Sequence, residues 1–180
     1  MPFEFRRLEI PGLVLVQPGR FADERGWFME RFKRSAFTEA GIEDRFVQDN
    51  VSYSTYGVLR GLHYQVAPAE QAKLVTALQG EIFDVAVDLR PGSPSYRRWI
   101  GVPLDAARGE ALYIPTGFAH GFVVISNEAL VLYKCTAEYA PECERGLRWN
   151  DRSIGIHWPV SDPVVSPKDR KLPLLEEDSP

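Results

Sequence analysis

The chain lacks any apolar run near the roughly 18 residues that a membrane-crossing helix requires. Its first residues, Met1-Pro2-Phe3-Glu4-Phe5-Arg6-Arg7, bring in an acid, and a Pro11-Gly12 break follows, where a secretory leader needs an unbroken apolar stretch. A cytoplasmic protein with no membrane partner is therefore expected. Cysteine is scarce. Cys135 and Cys143 are too few for a disulfide framework, and their spacing fits neither a thioredoxin-like nor a zinc-ribbon pattern, so both are expected as reduced spectator thiols. Basic runs are missing too: 21 Lys and Arg against 25 Asp and Glu leave a net charge of -4, which argues against a nucleic-acid partner. Long helical patterns are absent. The one helix expected is Ala36 to Ala40, with Ser35 as its candidate N-cap and Gly41 as its stop.

What remains is a strand-rich chain. At 180 residues and 44% hydrophobic it is long enough to bury about 70% of its unfolded surface, which fits one domain over residues 1–180. In Gly80 to Leu89 one parity is Phe83, Val85, Val87 and Leu89, and the other is Ile82, Asp84, Ala86 and Asp88. That pattern describes a strand with two different faces. Similar runs are Leu13 to Val16, Val58 to Gln65, Lys73 to Leu78, Trp99 to Val102, Ala111 to Ile114, Ala119 to Ile125 and Leu130 to Thr136, separated by turn signals such as Arg90-Pro91-Gly92-Ser93-Pro94. Closely spaced strands with so little helix predict a sandwich or barrel. The 14 prolines and 14 glycines are spread along the chain and not pooled in a linker, and the acidic tail from 174 to 180 is expected to fray.

The most specific local signal is Gly109-Glu-Ala-Leu-Tyr-Ile-Pro115-Thr-Gly117-Phe-Ala-His120: a strand, a Pro-Gly turn and a histidine opening the next strand. It resembles the second motif of the cupin double-stranded β-helix. The first cupin motif is half present. His63 stands at its first histidine, Gln65 at its second, and Lys73, seven positions before Gly80, at its glutamate. A divalent cation needs neutral and anionic donors, and here an ammonium and an amide replace two of them. The resemblance therefore implies a cupin without metal, whose pocket suits an anion or a developing oxyanion. Each of these residues also has a plainer reading. A lone histidine is more often a hydrogen-bonded core residue than a functional one. His63 gains weight from its company, Arg60 and Gln65 on the same strand, with Leu62 and Tyr64 on the opposite parity; His120 fits a supporting role as well, and Tyr133 fits plain sandwich core equally well.

In order along the chain come Phe21-Ala-Asp-Glu-Arg25-Gly-Trp-Phe-Met-Glu30, Gln48-Asp-Asn50-Val-Ser52, Gly57-Val-Leu-Arg60-Gly-Leu-His63-Tyr-Gln65, Lys73-Leu-Val, Asp84-Val-Ala-Val-Asp88, Tyr113 to Phe122, Tyr133-Lys-Cys-Thr, Trp149-Asn-Asp151 and Ser166-Pro-Lys168-Asp169. This series resembles the dTDP-4-dehydrorhamnose 3,5-epimerase family of deoxysugar biosynthesis. The resemblance implies an all-β jelly roll of the cupin type with a few short helices, no cofactor, and inversion at C3 and C5 of a dTDP-linked 4-keto-6-deoxyhexose. Both carbons flank a ketone, so such an enzyme needs a base, a cation at the C4 oxygen and an acid on the opposite face. The resemblance assigns His63 as base, Asp169 as its orienting carboxylate, Lys73 at the enolate oxygen and Tyr133 as acid. It assigns substrate binding to His120, to Arg25 and Arg60 on the pyrophosphate with Gln48, Asn50 and Lys168 in support, to Glu30 and Glu144 at the nucleoside, and to Tyr139 as a stacking surface for the base. It further implies a homodimer whose N-terminal strand crosses to its neighbour, an edge strand such as Leu13 to Val16 gaining hydrogen bonds that way. Arg25 and Glu30 then serve the partner's site. Three rivals stand beside this reading: an epimerase acting on C3 or C5 alone or a ketoisomerase, a noncatalytic sugar-nucleotide-binding cupin, and a metal-dependent cupin oxygenase.

Overall fold

The computed structural model describes residues 3–175; the expectations for Met1 and Pro2 and for the tail beyond 175 lie outside them. Fourteen strands follow one another: β1 (Phe3–Arg7), β2 (Val14–Pro18), β3 (Arg20–Asp23), β4 (Gly26–Met29), then helix α1 (Arg34–Glu39), β5 (Gln48–Thr55), β6 (Val58–Gln65), β7 (Lys73–Gln79), β8 (Glu81–Asp88), β9 (Trp99–Asp105), β10 (Ala111–Ile114), β11 (Phe118–Val124), β12 (Glu128–Cys135), β13 (Glu144–Gly146), β14 (Val164–Val165) and helix α2 (Pro167–Arg170). One six-stranded sheet runs β1-β2-β10-β7-β12-β5, the other β13-β6-β11-β8-β9 with β14 beside β6, and β3 and β4 form a separate hairpin. The two large sheets face each other as a jelly roll.

Alternation decides which side chains fill the space between the sheets. Ile82 and Ala86 of β8, Phe118, Phe122 and Val124 of β11, and Val75, Leu112, Ile114 and Val131 of the first sheet meet there in one cluster. The opposite parities are buried as well. Val85 and Val87 pack under the C-terminal segment through Leu147, Ile154 and Leu175, while Val14, Val16, Leu74 and Tyr113 are covered by Phe37 of α1 with Phe3, Phe5, Phe32 and Phe46. Over β2, β7, β8 and β10 both faces of the sheets are thus closed, which is why these strands read as runs with few charges.

Three sequence expectations are corrected. The helix begins at Arg34 and its N-cap is Lys33, which makes no side-chain cap; Ser35 lies inside the first turn. Strand β2 is no edge, because β1 pairs with one side of it and β10 with the other. The edge of that sheet falls to β1 itself. The tail is held as far as Leu175, which is buried and whose N–H donates to Asp151 Oδ2 at 2.7 Å.

The register of β6 carries one further departure that shapes the interior. His120 pairs with His63, but Phe122 pairs with Arg60, so β6 holds one residue more than β11 between these pairs. Strict alternation would put Arg60 on the side of Leu62 and Tyr64. The extra residue returns it to the face of His63. Glycine permits this: Gly61 has φ +134°, and a Cβ there would sit 2.5 Å from Gly121 Cα.

Candidate active site

A cavity of about 690 Å³ opens at one end of the sandwich, lined by both sheets and by the Ser166 to Asp169 segment. The second sheet supplies His63 and His120, and the facing sheet supplies Lys73 and Tyr133. Any flat group between the sheets therefore meets imidazole on one side and the ammonium and phenol on the other.

Asp169 owes its place to a local signal. Ser166 caps α2 by accepting a hydrogen bond from the Asp169 N–H at 3.0 Å, which turns the Asp169 carboxylate back toward β6. There Oδ1 lies 2.8 Å from His63 Nε2, and Oδ2 accepts from the Gly61 N–H at 3.3 Å. Burial pushes this carboxyl up, but the His63 contact and the Gly61 and Ser166 bonds outweigh it, and the net effect is a lowered pKa. An ionised carboxylate only accepts, so Nε2 donates and the lone pair of His63 resides on Nδ1. The pair is a base held in one tautomer.

A second histidine–carboxylate pair lies deeper. His120 Nε2 and Asp84 Oδ1 are 2.7 Å apart, with side chains 5% and 0% exposed. Lys73 opens β7 on the inward side, where its Nζ donates to the His63 carbonyl at 3.4 Å. Burial pushes the ammonium down, and Cys135, Asp84 and Glu144 partly restore it. Tyr133 stands edge-on to His120, ring centroids 6.1 Å apart, and its hydroxyl lies 2.8 Å from Ser52 Oγ. Burial pushes the phenol well above its usual range, so it stays protonated and able to donate near neutrality.

At the mouth, Tyr139 donates to Glu144 Oε2 at 2.8 Å and Lys168 Nζ donates to the same oxygen at 2.6 Å. Arg60 projects its guanidinium into the opening, anchored through Nε to Ser54 Oγ at 3.0 Å and through its terminal nitrogen to the Tyr53 carbonyl at 3.2 Å. Asn50 lines the cavity beside them. The structure thus brings together His63, Tyr133, Asp169, Lys73, Asn50, Arg60, His120, Tyr139, Glu144 and Lys168.

Arg25, Glu30 and Gln48 are not brought there. Arg25 sits at the tip of the β3–β4 hairpin, bound to Asp23 and 85% exposed, and Glu30 follows that hairpin. Gln48 stands behind the wall, its Oε1 accepting from the Tyr139 N–H at 2.8 Å. Gln65 lines the cavity, yet its amide is fully committed to backbone: Nε2 donates to the Ala69 and Glu138 carbonyls at 2.6 and 3.2 Å, and Oε1 accepts from the Ala140 N–H at 2.8 Å. The group at the second cupin histidine is a clamp between two loops. Sequence reasoning missed Asp84 and Ser52. Asp84 was visible as a charge inside an apolar strand, and Ser52 as one step in the alternation Gln48, Asn50, Ser52, Ser54. Both cysteines are buried free thiols, and no three His, Cys, Asp or Glu side chains converge as a metal site among the described residues.

The sequence matches the profile of the dTDP-4-dehydrorhamnose 3,5-epimerase family over residues 7–177. It is 53% identical over 167 residues to a dTDP-4-dehydrorhamnose 3,5-epimerase of Pseudomonas aeruginosa, covering 92% of each chain. A dTDP-4-dehydrorhamnose 3-epimerase of Streptomyces niveus is 42% identical over 173 residues, covering 96% of this chain and 84% of that one. Among solved structures, the dTDP-6-deoxy-D-glucose-3,5-epimerase of Legionella pneumophila in complex with dTDP-4-keto-L-rhamnose superposes with a TM-score of 0.95 at 45% identity, covering 99% of this chain and 95% of that one.

Proposed function

The chain belongs to the dTDP-4-dehydrorhamnose 3,5-epimerase family, and from that membership we propose how its own residues carry the reaction. The enzyme is an isomerase acting on a carbohydrate: it inverts C3 and C5 of dTDP-4-dehydro-6-deoxyglucose to give dTDP-4-dehydro-L-rhamnose. One observation carries the assignment of roles. His63, fixed by Asp169, and Tyr133 come from facing sheets across one cavity.

His63 Nδ1 removes the proton from the carbon next to the ketone, and the imidazolium that forms is stabilised by Asp169, as a carboxylate does in a hydrolytic triad. The electron pair moves onto the C4 oxygen. Lys73 holds that oxygen while negative charge develops, and a buried ammonium acts there without reorganising solvent. Tyr133 returns a proton to C5 from the other face, which inverts that centre, while C3 can collect its proton from water. His120, kept in its orientation by Asp84, lies against Tyr133 and binds the sugar near the enolate. Arg60, Asn50 and Lys168 take the pyrophosphate, since guanidinium and ammonium groups match its oxygens. Tyr139 and Glu144 take the nucleoside end.

Arg25 and Glu30 fit this scheme in a homodimer, as donors to the partner's site. Three aromatics of their hairpin, Phe21, Trp27 and Phe28, are 45%, 50% and 60% exposed, an apolar surface that a second copy would cover.

A C3-only reaction is the second reading, since the Streptomyces niveus relative is named for it. Incubation with dTDP-4-keto-6-deoxyglucose in deuterated water separates the two. Deuterium at both C3 and C5, with L-rhamno product, is expected. Deuterium at C3 alone would move the enzyme to the single epimerases, and deuterium at neither would refute an enolate route.

A further inference from the structure

The inward side of β5 carries polar side chains at four alternate positions, and each reaches a different part of the cavity wall. Gln48 accepts from the Tyr139 N–H at 2.8 Å, Asn50 Nδ2 lies 3.9 Å from Cys135 Sγ, Ser52 Oγ lies 2.8 Å from the Tyr133 hydroxyl, and Ser54 accepts from Arg60 Nε at 3.0 Å. Ser52 has no part in the scheme above. Its partner Tyr133 is otherwise packed against rings, with His120 and Phe122 centroids at 6.1 and 6.2 Å. A phenol that gives up a proton in such surroundings is left as a buried phenolate, which is costly until it is protonated again.

We propose that Ser52 is a positioning residue for Tyr133, aiming its hydroxyl across the cavity and returning a proton to it after it protonates C5. This rests on the reading of Tyr133 as the acid. The protons balance. His63 takes one from carbon as the C–H bond breaks; the Tyr133 O–H bond breaks as the new C–H bond forms. Ser52 then gives its hydroxyl proton to the phenolate and takes one from water, while His63 releases its proton to solvent. One proton enters, one leaves, and nothing is oxidised or reduced.

Two features favour serine for this. A hydroxyl donates one hydrogen bond and accepts two, so Ser52 can receive from water while it gives to the phenolate. It is also half-buried on an edge strand, with Tyr133 on one side and solvent access on the other. The Ser52 bond in addition pulls the phenol pKa down against the larger effect of burial, in the direction that eases proton release.

The test compares wild type, Ser52→Ala, Ser52→Thr and Tyr133→Phe, each checked for folding by its melting temperature, on dTDP-4-keto-6-deoxyglucose in deuterated water with C3 and C5 followed by NMR. Ser52→Ala should slow inversion at C5 on the order of 10²-fold, the scale of a misaimed reacting group, while deuterium wash-in at C3 stays near the wild-type rate. Ser52→Thr keeps the hydroxyl and should recover most of the loss. Wild-type C5 inversion in Ser52→Ala, with Tyr133→Phe defective, overturns the role of Ser52 and leaves Tyr133 as the acid. Wild-type C5 inversion in Tyr133→Phe removes both. Equal loss of C3 and C5 exchange in Ser52→Ala, or no recovery in Ser52→Thr, means that the side chain only shapes the pocket and also overturns the proposal.

Discussion

Replacing Asp169 by asparagine keeps the shape of this side chain and removes its charge. The amide can still accept from the Gly61 N–H, and the Ser166 cap is made by the Asp169 backbone, so the fold and α2 are expected to survive. What changes is His63. In the wild type, Oδ1 sits 2.8 Å from Nε2 and faces the imidazolium as a full charge. At an effective dielectric near 20, unit charges about 4 Å apart attract by about 4 kcal/mol. At about 1.4 kcal/mol per decade that corresponds to about 10³-fold in rate. His63 is 30% exposed, so solvent weakens this term. The amide adds a second loss in the other direction: it can donate as well as accept, which allows the tautomer with its proton on Nδ1, and a wrong tautomer in a hydrolytic triad costs about 10⁴-fold. The expected result is a loss of about 10³-fold in deuterium wash-in at both C3 and C5, shared equally because one base serves both carbons. Affinity for the dTDP product, measured by calorimetry, should stay near the wild-type value. A loss under about tenfold, or a loss at one carbon alone, would refute the pairing of Asp169 with a single base.

Three further outcomes are expected. Enolate stabilisation needs charged Lys73, and burial lowers its pKa, so the inversion rate should fall with rising pH below the usual lysine value of 10.5; Lys73→Arg, always charged, should lack this limb in a pH–rate profile. Burial pushes the Asp88 carboxyl up, but hydrogen bonds from Arg90, Ser93 and Ser95 outweigh it and hold it far below 3.8. A depressed folded pKa contributes stability that is present above the unfolded value and lost as pH falls below it, so Asp88→Asn should flatten the dependence of Tm on pH below about 4. Exhaustive EDTA treatment should leave epimerisation unchanged, because Gln65 and Lys73 stand where a metal-binding cupin places imidazole and carboxylate; loss of activity restored by one divalent ion would count against it.

The sequence alone determined which residue types share the cavity. A lysine at the position of a cupin glutamate and a histidine in each half-motif are local facts, readable because strand alternation depends on near neighbours in the chain. The eight strands read from alternation all exist, with ends shifted by at most a few residues. The short elements β3, β4, β13, β14 and α2 escaped, since two to four residues carry too little periodicity to be seen, and so did β1 and the eight-residue β5, which places the polar Gln48, Asn50, Ser52 and Ser54 on one side where an apolar parity marks a strand. Tertiary structure alone decided three matters. Alternation separates Arg60 from His63, and only the extra residue in β6, made possible by the close approach of Gly61 and Gly121, puts them on one face. The amide of Gln65 looks free in sequence and is taken up by two loops that arrive from elsewhere in the chain. Tyr133, as readily core as acid by its alternation, stands in the cavity wall with its hydroxyl at Ser52 Oγ and its ring edge-on to His120, both on other strands. Contacts between strands distant in sequence are fixed by register and by the sheet that each strand joins, and neither quantity is written in the local pattern of a single strand.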